Sequence, residues 1–170
     1  MNIILIGMRG SGKTTVALLM AKKLDREFID MDQMIVKKNN ISIQRLVTEY
    51  GWDYFRKKEV ETVKEVSQRN NTVIATGGGV VVNAENVRAL KKNGKFVYLQ
   101  APVKILLQRI NIDPERPPLT DKKSPEEEME ELLKQRKQLY ENAADEIIDT
   151  EVLSPEETVN IIIEKLKVKL

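Results

Sequence analysis

The sequence predicts an α/β protein, a parallel sheet with helices on both faces, and three observations predict it. Short apolar blocks alternate along the chain with longer stretches of helical periodicity. A glycine-rich turn links the first block to the first helical stretch. Two further helices are announced by the same start signal, Ser124-Pro125-Glu126-Glu127 and Ser154-Pro155-Glu156-Glu157, with Ser at the N-cap, Pro at the first helical position and Glu at the third.

The elements follow in order. Ile3-Ile4-Leu5-Ile6 reads as the first strand. Val16, Ala17, Met20, Ala21 and Leu24 recur at helical spacing and predict a helix over 13–24 that begins at the glycine loop. Phe28-Ile29 is the second strand, Val73-Ile74-Ala75 the third, Phe96-Val97-Tyr98-Leu99 the fourth and Ile147-Ile148 the fifth. Two segments break the alternation. Residues 32–71 hold about three helices without a strand and predict an inserted helical subdomain, whereas residues 110–124 are rich in Pro and charge and predict a mobile lid. The last helix, from Pro155, carries Val159, Ile162, Ile163 and Leu166 on one face and is expected to close the sheet.

Composition narrows the chemistry. At 170 residues the chain suits one domain spanning 1–170, which can bury roughly 70% of its unfolded surface. The chain contains neither cysteine nor histidine. A disulfide, a thiolate nucleophile and the commonest general base are therefore excluded, so acid–base work falls to Asp, Glu, Lys or Tyr. Basic and acidic residues interleave around a net charge of +2, which argues against a nucleic-acid surface. Met1 to Ile6 is apolar but only one strand long and lacks a basic leader, so neither a signal peptide nor a membrane span is expected, and the protein is placed in the cytoplasm as a monomer.

Gly7-Met8-Arg9-Gly10-Ser11-Gly12-Lys13-Thr14 fits G-x-x-x-x-G-K-[ST] between a strand and a helix, where such a loop cradles phosphates. Backbone N–H groups and the helix N-terminus receive the anion, Lys13 reaches the β- and γ-phosphates, and the Thr14 hydroxyl faces Mg²⁺. An incidental glycine turn is the competing reading, and the strand–helix context disfavours it. No Asn-Lys-x-Asp motif follows, which argues against a GTPase and leaves small kinases.

Asp30 and Asp32 stand two apart at the exit of the second strand, the edge where α/β sheets bind ligands. One can support Mg²⁺ and the other can orient or deprotonate an acceptor hydroxyl; spacing alone leaves open that Asp32 only caps the next helix. Thr76-Gly77-Gly78-Gly79 ends the third strand and implies close backbone approach by a ligand or by the phosphate loop, unless it is only a flexible turn. This strand lacks the acidic end of a standard Walker B strand, so Asp30 is the candidate metal carboxylate. Arg56, Arg109, Arg116 and Arg136, taken singly, read as solvated charges.

Taken in order, Gly7 to Thr14, Asp30-x-Asp32, Phe55-Arg56-x-x-Glu59, Gly77-Gly78-Gly79, Arg116-Pro117 and Arg136-x-x-x-Tyr140 resemble the shikimate kinase family over nearly the whole chain. The resemblance implies the P-loop fold of the nucleoside monophosphate kinases, a five-stranded parallel sheet of order 2-3-1-4-5, and transfer from ATP to the 3-hydroxyl of shikimate. It places Asp32, Arg56, Gly78, Gly79 and Arg136 on the acceptor, with the two arginines on its carboxylate. ATP falls to Gly10, Ser11, Gly12, Lys13, Thr14, Thr15, Arg109, Arg116 and Pro155, magnesium to Thr14 and Asp30, and the catalytic roles to Lys13, Asp32 and Arg116. Glu59 would orient Arg56. Pro118 in the lid and Val47 beside the acceptor depart from the family pattern, and a gluconate-type kinase or an idle nucleotide-binding regulator are the alternatives.

Overall fold

A computed structural model describes residues 1–110 and 124–168. Arg116 and nearly all of the predicted lid lie outside the described residues. The strands are β1 (Asn2–Ile6), β2 (Glu27–Asp30), β3 (Thr72–Ala75), β4 (Gly94–Gln100) and β5 (Glu146–Asp149), and they form one parallel sheet in the order β2-β3-β1-β4-β5. Every residue of β1 and of β3 is buried, as befits inner strands covered on both faces.

Alternation along β1 sorts the core into two layers. Ile3 and Leu5 face α1 (Lys13–Lys23) and α7 (Pro155–Leu166), packing with Val16, Met20, Val159 and Ile162. Ile4 and Ile6 face the opposite layer, which joins the end of α3 (Ile43–Val66), α4 (Ala84–Lys91), α5 (Val103–Ile110) and α6 (Pro125–Ala143) around Phe96, Tyr98 and Tyr140. The helices begin where the sequence signals: Ser124 and Ser154 each accept the N–H of the third helical residue, and Glu127 and Glu157 return the bond.

The stretch after β2 contains α2 (Met31–Asn39) and α3. α3 is continuous in hydrogen bonding only on either side of Gly51, whose φ of 83° and ψ of 167° break it into two helices. Three helical pieces therefore follow β2, as the periodicity suggests. Ile35, Leu46 and Phe55 form a small third core with Ile41, Ile43, Val47, Trp52 and Tyr54, so this segment has apolar packing of its own.

Candidate active site

The site grows from the carboxyl ends of β1, β2 and β3, the edge at which parallel sheets receive ligands. After β1 the chain turns through Gly10 and Gly12, with φ of 82° and 88°, into α1. Lys13 is 8% exposed, and its Nζ donates to the carbonyls of Gly7 at 3.0 Å and Met8 at 2.8 Å. The ammonium thus lies across the loop, held by the loop's own backbone.

Asp30, the last residue of β2, makes two defined contacts. Its Oδ1 accepts the Gln33 N–H at 3.0 Å, and its Oδ2 accepts the Thr14 hydroxyl at 2.8 Å. The helix cap that spacing leaves open for Asp32 therefore belongs to Asp30, and Asp32 lies in the first turn of α2 with its side chain free of that duty. Thr14 and Asp30 meet as a pair of hard oxygen donors at the mouth of the phosphate loop. Among the described residues no group of three His, Cys, Asp or Glu forms a metal cage, so an ion at this pair would need further oxygens from phosphate or water.

Two neighbouring cavities open here. The smaller, about 180 Å³, is lined by Gly10, Gly12, Lys13, Thr14, Thr15 and Arg109, among others. Ser11, within the loop, is buried and is not in this lining. Arg109 is braced from the far side, donating Nη1 to the Thr150 hydroxyl at 3.0 Å and Nη2 to the Thr150 carbonyl at 2.6 Å. Pro155 does not line this cavity; it stands at the first turn of α7.

The larger cavity, about 370 Å³, has an apolar wall of Met8, Ile43, Trp52, Phe55, Met129 and Leu132. Its polar side brings together Asp32, Arg56, Glu59 and Arg136 with Gly77, Gly78 and Gly79. Val47 is not in the lining; Ile43 and Trp52 supply that wall, and Val47 belongs to the small core behind it. Arg56 Nη1 donates to both carboxylate oxygens of Glu59, at 3.1 and 2.9 Å. Its guanidinium lies 5.6 Å from the Trp52 ring centroid and 5.4 Å from that of Phe55. A Cβ at Gly79 would collide with this guanidinium, so the third glycine is what lets Arg56 lie against the backbone. Glu59 is 2% exposed, and burial pushes its carboxyl above the ordinary value against the pull of Arg56, with the charge of Asp32 pushing the same way as burial. Arg136 Nη1 donates to the Gly78 carbonyl at 3.3 Å.

Only Arg9 and Asp32 line both cavities among the described residues. Sequence reasoning gave Arg9 no role, because the phosphate-loop pattern leaves its position unspecified; the signal available was a cation inside a loop built for anions. Thr76, read from the sequence only as the lead-in to the glycine cluster, lines the smaller cavity, and its hydroxyl donates to the Leu5 carbonyl at 2.9 Å.

Comparison with known proteins agrees with this geometry. A family model described as shikimate kinase matches residues 9–167. The chain is 43% identical to the shikimate kinase of Thermodesulfovibrio yellowstonii over 164 residues, covering 96% of this chain and 94% of that one. It is 44% identical to shikimate kinase 2 of Photorhabdus laumondii over 157 residues, covering 91% and 88%. The solved structure of Acinetobacter baumannii shikimate kinase in complex with shikimate superposes with a TM-score of 0.92 at 38% identity, covering 99% of this chain and 94% of that one. A phosphate loop, an arginine-lined cavity one wall away and these likenesses over nearly the full length lead to one conclusion: the chain belongs to the shikimate kinase family.

Proposed function

We propose that the protein transfers the γ-phosphoryl group of ATP to the 3-hydroxyl of shikimate, giving shikimate 3-phosphate and ADP on the route to the aromatic amino acids. The observation that carries this reading is the larger cavity. Two guanidinium groups, Arg56 and Arg136, line one pocket, which shares Arg9 and Asp32 with the cavity at the phosphate loop. A small carboxylate held by planar cations at one end can present a hydroxyl at the other.

In this reading Arg56 and Arg136 grip the acceptor carboxylate, and the glycine backbone from Gly77 to Gly79 and the apolar wall shape the space around the ring. Asp32 orients the hydroxyl and takes its proton as the oxygen attacks the γ-phosphorus and the bond to the β,γ-bridging oxygen breaks. Lys13 and Arg116 offset negative charge on the transferring group, Arg116 being assigned on its sequence context alone. Arg109 borders the base, and Gly10, Ser11, Gly12, Thr14 and Thr15 receive the phosphates. Mg²⁺ fits the oxygen pair Thr14 and Asp30, where it would neutralise phosphate charge. A monomer acting in the cytoplasm completes this reading.

The test is ADP release measured in parallel with shikimate, gluconate, AMP and CMP. Turnover with shikimate alone is expected, and Arg56→Ala or Arg136→Ala should raise its dissociation constant by roughly 30-fold or more if the grip is desolvated. Turnover with gluconate instead, or binding of shikimate unchanged in both variants, would remove the reading.

A further inference from the structure

We propose that Tyr140 is a positioning residue for the acceptor: its buried hydroxyl clamps the Gly78 carbonyl and thereby sets both the Gly78–Gly79 peptide and the reach of Arg136. The inference rests on the larger cavity being the acceptor site.

Tyr140 is fully buried behind Gly78, a lining residue of that cavity, one helical turn beyond Arg136 on the same face of α6. Its hydroxyl donates to the Gly78 carbonyl, and the Met8 sulfur stands 3.6 Å away. The ring is fixed from behind by stacking on Tyr98, at 4.9 Å between centroids and 19° between planes. Tyr98 pairs in register with Ile6, the residue that leads into the phosphate loop. One phenol therefore ties α6, the glycine turn and the root of the phosphate loop together. Burial pushes its hydroxyl further above the ordinary value, so it stays protonated and remains a donor.

Two consequences follow for the acceptor. The peptide bonds described are all trans, so the Gly79 N–H points opposite to the clamped Gly78 carbonyl, and holding one fixes the direction of the other at the cavity wall. The same carbonyl also accepts Arg136 Nη1, at a longer 3.3 Å. Arg136 also hydrogen-bonds the Tyr140 side chain; with Tyr140 carrying the main bond to the carbonyl, the guanidinium needs only a loose contact there and can turn its other donors toward an anion. Without the hydroxyl, the half-buried carbonyl would be left to Arg136, and the guanidinium would be drawn down onto it.

Tyr140→Phe removes only the oxygen and keeps the stacked ring. The expected result is a rise of roughly tenfold in the shikimate dissociation constant and KM, with the nucleotide KM and kcat within about threefold of wild type. In an Arg136→Ala background the same change should add clearly less than the tenfold it costs alone, because part of the clamp acts through Arg136. Amide spectra of the ligand-free protein give an independent reading: the Gly79 N–H signal should shift or broaden in Tyr140→Phe while α1 signals stay in place. Failure of wild-type protein to bind shikimate would count against the acceptor assignment, and the spectra would still decide the clamp. An unchanged Gly79 signal, full additivity with Arg136→Ala, or equal losses in both substrate KM values would overturn it.

Discussion

In the proposed reaction Asp32 is the residue on which the chemistry turns; it lines both cavities, while its neighbour Asp30 bonds Gln33 and Thr14. Asp32→Asn is expected to leave nucleotide affinity intact and to lower turnover by roughly 10²–10⁴-fold. Arg116→Ala should likewise reduce turnover more than ADP affinity, and steady-state rates beside ADP titrations check both. Glu59 adds a pH dependence. Its carboxyl is held above 4.5 because burial removes its water, opposed by Arg56. Between 4.5 and the raised value the folded protein keeps a proton that the unfolded chain has shed, so the group's contribution to stability is largest below that window and declines as pH rises through it. Urea midpoints should show this slope in wild type and not in Glu59→Gln, and identical slopes in the two proteins would contradict it. Both aspartates were legible in the sequence as candidates, and the missing acid on the third strand together with the family resemblance assigned their roles, but i and i+2 spacing alone could not say which carboxylate turns back to cap the helix.

At the scale of elements, the break at Gly51 matters most. Its φ of 83° with ψ of 167° belongs to a region open essentially to glycine alone, and Trp52 and Arg56 are the first turn beyond it. Space for a Cβ exists there, so the cost of Gly51→Ala is backbone strain, about 1–3 kcal/mol. A melting point lower by several degrees is expected, together with a weaker acceptor response of Trp52 fluorescence, which in wild type should change on adding shikimate because Trp52 lines that cavity. A wild-type spectrum that stays flat through saturation would mean the indole does not sense the site. Helix starts were the most readable elements, since Ser124 and Ser154 carry their own caps in four residues. The interruption of α3 was less so: a glycine within a helical pattern signals weakness without saying that the chain turns.

For the molecule as a whole, the five strands could be placed from apolar blocks alone, whereas their order came only through family resemblance, because periodicity carries no information on which strands are neighbours. The sheet then separates duties by face. The layer of α1 and α7 holds Ile162, fully buried among Leu5, Val159 and Leu99, and that helix pair lends no residue beyond the first turn of α1 to either cavity. Ile162→Ala is expected to cost about 2–5 kcal/mol of stability by leaving a cavity, while the shikimate KM measured well below the melting point stays at the wild-type value. A change in KM without loss of stability would show that the faces are coupled. The other face is divided again, since the smaller and larger cavities have only Arg9 and Asp32 in common among the described residues. Such a narrow seam suits the scaffold to exchange by halves: grafting a different α2, α3 and α6 onto the same phosphate loop would redirect the phosphoryl group to a new alcohol, provided the two seam residues and the Tyr140 contacts to Gly78 and Met8 are carried across unchanged.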